Sequence, residues 1–79
     1  MIKLTILNMN GFLQIVNQCS GAVNAVCPDG KWRDLNKSYA AQKVLWDQFR
    51  ENQGSLALKL DFQKPEDYAR IVYHHISEI

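Results

Sequence analysis

One segment alternates strictly between leucine and other side chains, and this pattern constrains the fold most strongly. Leucines occupy every second position between Ser55 and Phe62, with Ala57, Lys59 and Asp61 between them. Successive side chains of a strand point to opposite faces, so we expect a strand with one buried face and one face in water. A sheet that is wet on one side is typical of antiparallel pairing, with helices packed on its other face.

The rest of the chain predicts three more strands and three helices. Strands are expected at Ile2–Leu7, Ala22–Cys27 and Lys31–Leu35, the last two joined by a Pro28-Asp29-Gly30 hairpin turn. Helices are expected from Asn8 or Asn10 to Ser20-Gly21, over Tyr39–Phe49, and from Pro65 onwards. The third helix is expected to bury a stripe formed by Tyr68, Ile71, Val72, His75, Ile76 and Ile79. The order βαββαβα indicates an α+β two-layer sandwich, in which three helices cover one face of a four-stranded antiparallel sheet.

Length and charge limit the kind of function that this chain is expected to have. Its 79 residues are enough for one domain over 1–79, with a small core. Nine lysines and arginines against eight aspartates and glutamates give a formal net charge of +1. Binders of nucleic acid or of anionic membranes use a concentrated positive field, so neither partner is expected from composition.

The two cysteines and the N-terminal sequence favour a cytoplasmic protein. Cys19 and Cys27 are too few for the disulfide framework of a small secreted domain. The N-terminal residues lack the apolar run of a signal peptide, and no apolar stretch approaches the roughly 18 residues that span a membrane. We therefore expect a cytoplasmic location, reduced thiols and no membrane partner.

The element order and the segment from Pro28 to Ser38 resemble HPr, the histidine-containing phosphocarrier of the bacterial sugar phosphotransferase system. HPr proteins have an aspartate-glycine hairpin there, then a return strand, then a lysine-serine pair that opens a short helix. Asp29-Gly30 and Lys37-Ser38 lie in register with these features. The resemblance implies an HPr-like open-faced β-sandwich over nearly the whole chain.

The chain departs from HPr at the position of the phosphate-accepting histidine. In HPr the first strand is followed by Gly-Leu-His-Ala-Arg-Pro, whose histidine accepts phosphate from enzyme I. Counted from Gly11, the histidine position holds Leu13, or Gln14 if one gap is allowed, and Ile15 replaces the arginine. Neither side chain offers a nucleophilic nitrogen, so we expect a degenerate site that carries no phosphate.

The resemblance implies a regulatory role for Ser38. In many HPr proteins of Gram-positive type, an ATP-dependent kinase phosphorylates the serine of the Lys-Ser pair. A phosphate at a helix N-terminus meets unpaired backbone N–H groups, and Lys37 is adjacent. Without the resemblance, Ser38 is expected to be a helix cap that contributes about 1 kcal/mol.

We therefore expect a diverged HPr-like regulatory or interaction module that is not an enzyme and needs no cofactor. Phosphate or partner contacts are expected at Lys37, Tyr39 and Ala41, with protein partners such as an HPr kinase or a transcriptional regulator. HPr proteins usually show isoleucine, methionine and glycine after the serine as a docking patch. This chain has Tyr39-Ala40-Ala41 instead, which puts recognition by the usual partners in doubt.

Other functional motifs are weak. His74 and His75 are neighbours, which point about 100° apart on a helix, and only Glu78 lies at metal-ligand spacing, so no metal site is expected. His75 is expected to pack and His74 to face solvent. The sequence has no Cys-x-x-Cys motif, no glycine-rich phosphate loop and no serine nucleophile elbow.

A small α+β nucleic-acid-binding domain is the alternative function. Aromatic and basic residues suggest a sheet face of the kind that binds single-stranded RNA; they are Lys31, Trp32, Arg33, Lys37 and Tyr39. Asp29 and Asp34 reduce the positive charge, and the ribonucleoprotein signature is absent, so core and sheet-edge packing of the aromatic residues is expected instead. A third reading is a phosphocarrier that uses another residue.

Overall fold

The computed structural model describes residues 2–26 and 30–77. Its elements, in chain order, are β1 (Ile2–Ile6), α1 (Met9–Val16), β2 (Val23–Val26), β3 (Trp32–Asp34), α2 (Tyr39–Glu51), β4 (Leu56–Phe62) and α3 (Pro65–Ser77). This order confirms the βαββαβα prediction. Cys27 and the predicted turn residues Pro28 and Asp29 lie outside the described residues, as do Glu78 and Ile79.

Within the described ranges, four strands form one antiparallel sheet in the order β1-β4-β2-β3. Strand β4 lies inside the sheet, where Leu58 pairs with Leu4 and Leu60 pairs with both Ile2 and Ala25. The leucines of β4 are buried, and the residues between them are exposed. The predicted alternation is therefore confirmed, and all three helices cover the same face of the sheet.

The core lies between this face and the helices. Its buried apolar side chains come from the strands, the helices and the loops between them: Ile6, Met9, Phe12, Leu13, Val16, Cys19, Val23, Ala25, Leu35, Leu45, Leu56, Leu58, Leu60 and Ile71. None of the helices in the described ranges is both long enough and apolar enough to cross a membrane.

Helix α1 is shorter than the sequence predicts. It begins after Asn8, whose side-chain oxygen accepts a hydrogen bond from the Gly11 N–H at 3.0 Å. It ends at Val16, and a turn follows, so Cys19 lies beyond the helix although its side chain is buried. The apolar spacing continues through Cys19 because the turn packs against the same core.

The buried side of α3 differs from the predicted stripe. Tyr68 is 44% exposed and Ile76 is 63% exposed, whereas Ile71 is buried and Asp67 is fully buried. The Asp67 carboxylate accepts hydrogen bonds from the backbone N–H groups of Ser20 at 3.1 Å and of Gly21 at 2.8 Å. These bonds fix the side of α3 that faces inward, so the prediction for Tyr68 and Ile76 is wrong.

Candidate functional site

Ser38 caps the N-terminus of helix α2, where the sequence predicts a cap. Its backbone is extended (φ −110°, ψ 99°), and its hydroxyl oxygen accepts a hydrogen bond from the Ala41 N–H at 3.4 Å. A distance of 3.4 Å is long for an N–H···O bond, so the cap constrains the hydroxyl only weakly. Ser38 is half-buried.

The turn before Ser38 is fixed to the end of helix α1. The side-chain oxygen of Asn17 accepts hydrogen bonds from the Lys37 backbone N–H at 3.1 Å and from the Gln42 amide at 2.7 Å. The Asn36 amide donates to the carbonyls of Cys19 and Gly21 at 2.9 and 2.7 Å. These contacts hold Lys37 at φ +58°, a left-handed conformation that costs roughly 1 kcal/mol or more outside glycine.

The electrostatic surroundings of Ser38 suit an anion. The first turn of α2, which is described in full, contains no acidic side chain, and Lys37 immediately precedes Ser38. The first N–H groups of a helix have no acceptor within the helix, so those of Tyr39 and Ala40 are available next to the serine. A negative charge on Ser38 would therefore meet the positive end of the helix dipole.

A groove begins at Tyr39, the residue after Ser38, and runs along α2. It has a volume of about 200 Å³ and is lined by Tyr39, Gln42, Lys43, Trp46, Asp47 and Arg50. The Arg50 guanidinium lies over the Trp46 ring at 5.3 Å, and Lys43 pairs with Asp47 at 3.2 Å. Tyr39 is 81% exposed, whereas Ala41 packs against the core. Of the predicted contact residues, Lys37 and Tyr39 thus lie at the surface, and Ala41 is largely turned away from it.

The three residues of the predicted degenerate phosphocarrier site lie in the middle of α1. Leu13 is buried in the core, Ile15 is half-buried, and Gln14 is exposed. A site at the N-terminus of this helix would instead be formed by residues 8–10. The structure therefore places Leu13, Gln14 and Ile15 inside helix α1, which begins after Asn8, within the range that the sequence predicts.

The sequence predicts that His74 faces solvent, and the structure contradicts this. His74 is half-buried, and it lines a groove between α1 and α3 together with Ile15. His75 is half-buried as well. Among the described residues, no group of three or more histidine, cysteine, aspartate or glutamate side chains is placed to hold a metal ion.

Among the described residues, Asp67 and Cys19 have clearly shifted pKa values. Burial acts to raise the pKa of Asp67, but the N–H groups of Gly21 and Ser20 and the charge of Arg70 bring it below its ordinary value. Burial, together with the charge of Asp67, raises the pKa of the Cys19 thiol to about 11. The thiol therefore stays protonated at neutral pH and is a poor nucleophile.

Comparison of the chain with protein-family models, with curated proteins and with solved structures found no match in any of the three. The function is therefore inferred from the residues of the chain itself.

Proposed function

We propose that the protein is a diverged HPr-like regulatory or interaction module of the cytoplasm, without the phosphate-accepting histidine, and that Ser38 is its phosphorylation site. The observation that carries the proposal is the position of Ser38 as the cap of α2, directly after Lys37. The element order βαββαβα supports it. The chain is a substrate and a binding partner here, and it performs no catalysis of its own.

Phosphorylation at this position needs a separate kinase and ATP. The Ser38 hydroxyl oxygen attacks the γ-phosphorus of ATP, the bond to the ADP oxygen breaks, and the hydroxyl proton passes to a base of the kinase. The long hydrogen bond from Ala41 is easily given up in this step, since the phosphate oxygens can accept from the same N–H groups. The product keeps the helix cap and adds about two negative charges.

The added charge would change what the α2 surface binds. We define the α2 surface as Lys37, Ser38, Tyr39, Trp46 and Arg50. Tyr39 stands next to the phosphate as an exposed aromatic side chain, and the Trp46–Arg50 pair follows along the groove. A protein with arginines for the phosphate and an apolar pocket for Tyr39 fits this surface. A transcriptional regulator that reads phosphoserine belongs to this class.

The test is phosphorylation by an HPr serine kinase with ATP, followed by intact-mass measurement. Wild-type protein should gain one phosphate, and Ser38→Ala should gain none. Ser20→Ala is the matched control, because Ser20 is an exposed serine whose contact to Asp67 uses the backbone N–H. The proposal fails if wild-type protein stays unmodified while an authentic HPr in the same tube is phosphorylated, or if Ser38→Ala still gains the phosphate.

A further inference from the structure

One row of side chains crosses the wet face of the sheet from edge to edge. Lys3 of β1 pairs with Lys59 of β4, Lys59 pairs with Val26 of β2, and Val26 pairs with Trp32 of β3. Lys3, Lys59 and Trp32 are exposed, and Val26 is half-buried. We call these four residues the cross-sheet row.

The facing lysines and the exposed tryptophan of the cross-sheet row do not stabilise the fold. Like charges directly opposite each other on neighbouring strands are destabilising, and Lys3 faces Lys59 in this way. Within residues 2–26 and 30–77, neither ammonium group forms a hydrogen bond or an ion pair. Trp32 lies on the edge strand β3 and is 56% exposed, so the expectation that it packs in the core is wrong, whereas its position at the sheet edge agrees with the prediction.

The row presents an aromatic face and two cations in line. Strands in a sheet are about 4.8 Å apart, which places Lys59 about 10 Å and Lys3 about 14 Å from Trp32 along the row. Val26 lies between Trp32 and Lys59 and has a short, uncharged side chain. Binders of single-stranded nucleic acid combine these two features, because bases stack on aromatic rings while cations follow the phosphates.

We propose that the cross-sheet row binds a short segment of single-stranded nucleic acid, with one base stacked on Trp32 and the following phosphates at Lys59 and Lys3. RNA and DNA share this chemistry. The site lies on the face of the sheet opposite the helices, so it is independent of Ser38. A net charge of +1 for the whole chain conceals this local row of cations.

An acidic row lies beside the cross-sheet row and confines the ligand. Asn24 pairs with Asp61 on one side and with Asp34 on the other. The Asp34 carboxylate accepts hydrogen bonds from the N–H groups of Val23 and Asn36 at 3.1 and 3.0 Å, which ties it to the backbone. Asp61 is exposed and lies two residues from Lys59, so its charge weakens binding and keeps the phosphates on the neighbouring row.

The experiment uses Trp32 as its own probe. Trp46→Phe leaves one indole in the chain, and this variant is titrated with oligouridylate, with oligothymidylate and with inorganic polyphosphate. Both oligonucleotides should quench the fluorescence of Trp32, since a base stacks on it, and polyphosphate should not.

Variants measured by anisotropy of a labelled strand test each part of the row. Trp32→Ala should weaken binding by about fivefold or more, and Trp32→Phe should retain most of it. The logarithm of affinity should fall with the logarithm of salt with a slope of about −1.4 for two phosphate contacts, and Lys59→Gln should reduce it to about −0.7. Asp61→Asn should strengthen binding about two- to threefold at low salt.

Lys43→Gln is the matched control, because it removes one positive charge from helix α2, on the other side of the sheet. Circular dichroism checks that each variant is folded. The proposal is overturned if neither strand binds at low salt, or if Lys43→Gln weakens binding as much as Lys59→Gln. It is also overturned if Trp32→Ala has no effect and polyphosphate competes as well as the oligonucleotides do.

Discussion

Replacing Asp67 with asparagine should destabilise the fold by about 2–4 kcal/mol. Each carboxylate oxygen accepts one backbone N–H, from Ser20 at 3.1 Å and from Gly21 at 2.8 Å. An asparagine keeps one acceptor and turns its NH₂ group towards the other N–H, and an unsatisfied buried donor costs about 1–3 kcal/mol. The remaining bond also loses its charged partner, which accounts for about 1 kcal/mol more.

The ion pair with Arg70 contributes little to the destabilisation expected for Asp67→Asn. Arg70 lies 3.9 Å from the Asp67 carboxylate, but its side chain is 43% exposed, and an ion pair of this kind contributes at most about 1 kcal/mol. A chain of this size has a total stability of about 4–12 kcal/mol. The loss of these backbone contacts would therefore remove a large part of the stability.

Urea and thermal unfolding followed by circular dichroism measure the effect. Each kcal/mol should lower the Tm by about 4–8 °C in a domain of this size. Glu66→Gln is the matched control, because it removes the same charge from the same turn of α3 at an exposed position, where only the helix dipole is affected, by at most about 1 kcal/mol. Equal losses of stability in Asp67→Asn and Glu66→Gln would refute the reasoning, since they would mean that Asp67 stabilises the fold only through the helix dipole.

Three further predictions concern Asp67, the Ser38 cap and the Cys19 thiol. Because the pKa of Asp67 in the folded protein lies below its ordinary value of 3.8, its contribution is complete above that pH and is lost as the pH falls through the folded pKa. Acid titration of unfolding should therefore show a fall in stability that is absent from Asp67→Asn. Ser38→Ala should cost about 0.5–1 kcal/mol in urea unfolding, the lower part of the range for caps because the bond is long, and Ser38→Asp should recover most of this; an unchanged midpoint for Ser38→Ala would count against the cap. In a Cys27→Ser background, Cys19 should resist a thiol reagent at neutral pH until the protein unfolds, because it is 1% exposed and its pKa is about 11; rapid labelling of folded protein would contradict this.

Structural features that depend on neighbouring residues could be predicted from the sequence, and those that depend on contacts between distant residues could not. The leucine alternation of β4 and the cap at Ser38 depend on residues within a few positions, and both were foreseen correctly. The buried carboxylate of Asp67 was missed because its partners, Ser20 and Gly21, lie 47 and 46 residues away. A first-turn carboxylate normally faces water and the helix dipole, so nothing in the local sequence indicates that Asp67 is buried.

The same distinction holds for the two proposed sites. The cap at Ser38 could be predicted from its neighbours in the sequence. The hydrogen bond from the Lys37 N–H to Asn17, which holds the turn before Ser38, joins residues 20 positions apart and could not be predicted. The exposure of Trp32 follows from the strand order, which puts β3 at the edge of the sheet and brings Lys59 into its row. Alternation alone gives the face of each residue but not its neighbours across the sheet.

The most direct test of the central proposal compares two phosphate donors on the same protein. One sample receives ATP and an HPr serine kinase, and the other receives phosphoenolpyruvate and enzyme I; the phosphate is then located by peptide mass analysis before and after acid treatment. A regulatory module without the phosphate-accepting histidine should carry an acid-stable phosphate on Ser38 in the first sample and none in the second. An acid-labile phosphate on His74 or His75 in the second sample, or an unmodified Ser38 in the first, would contradict the account.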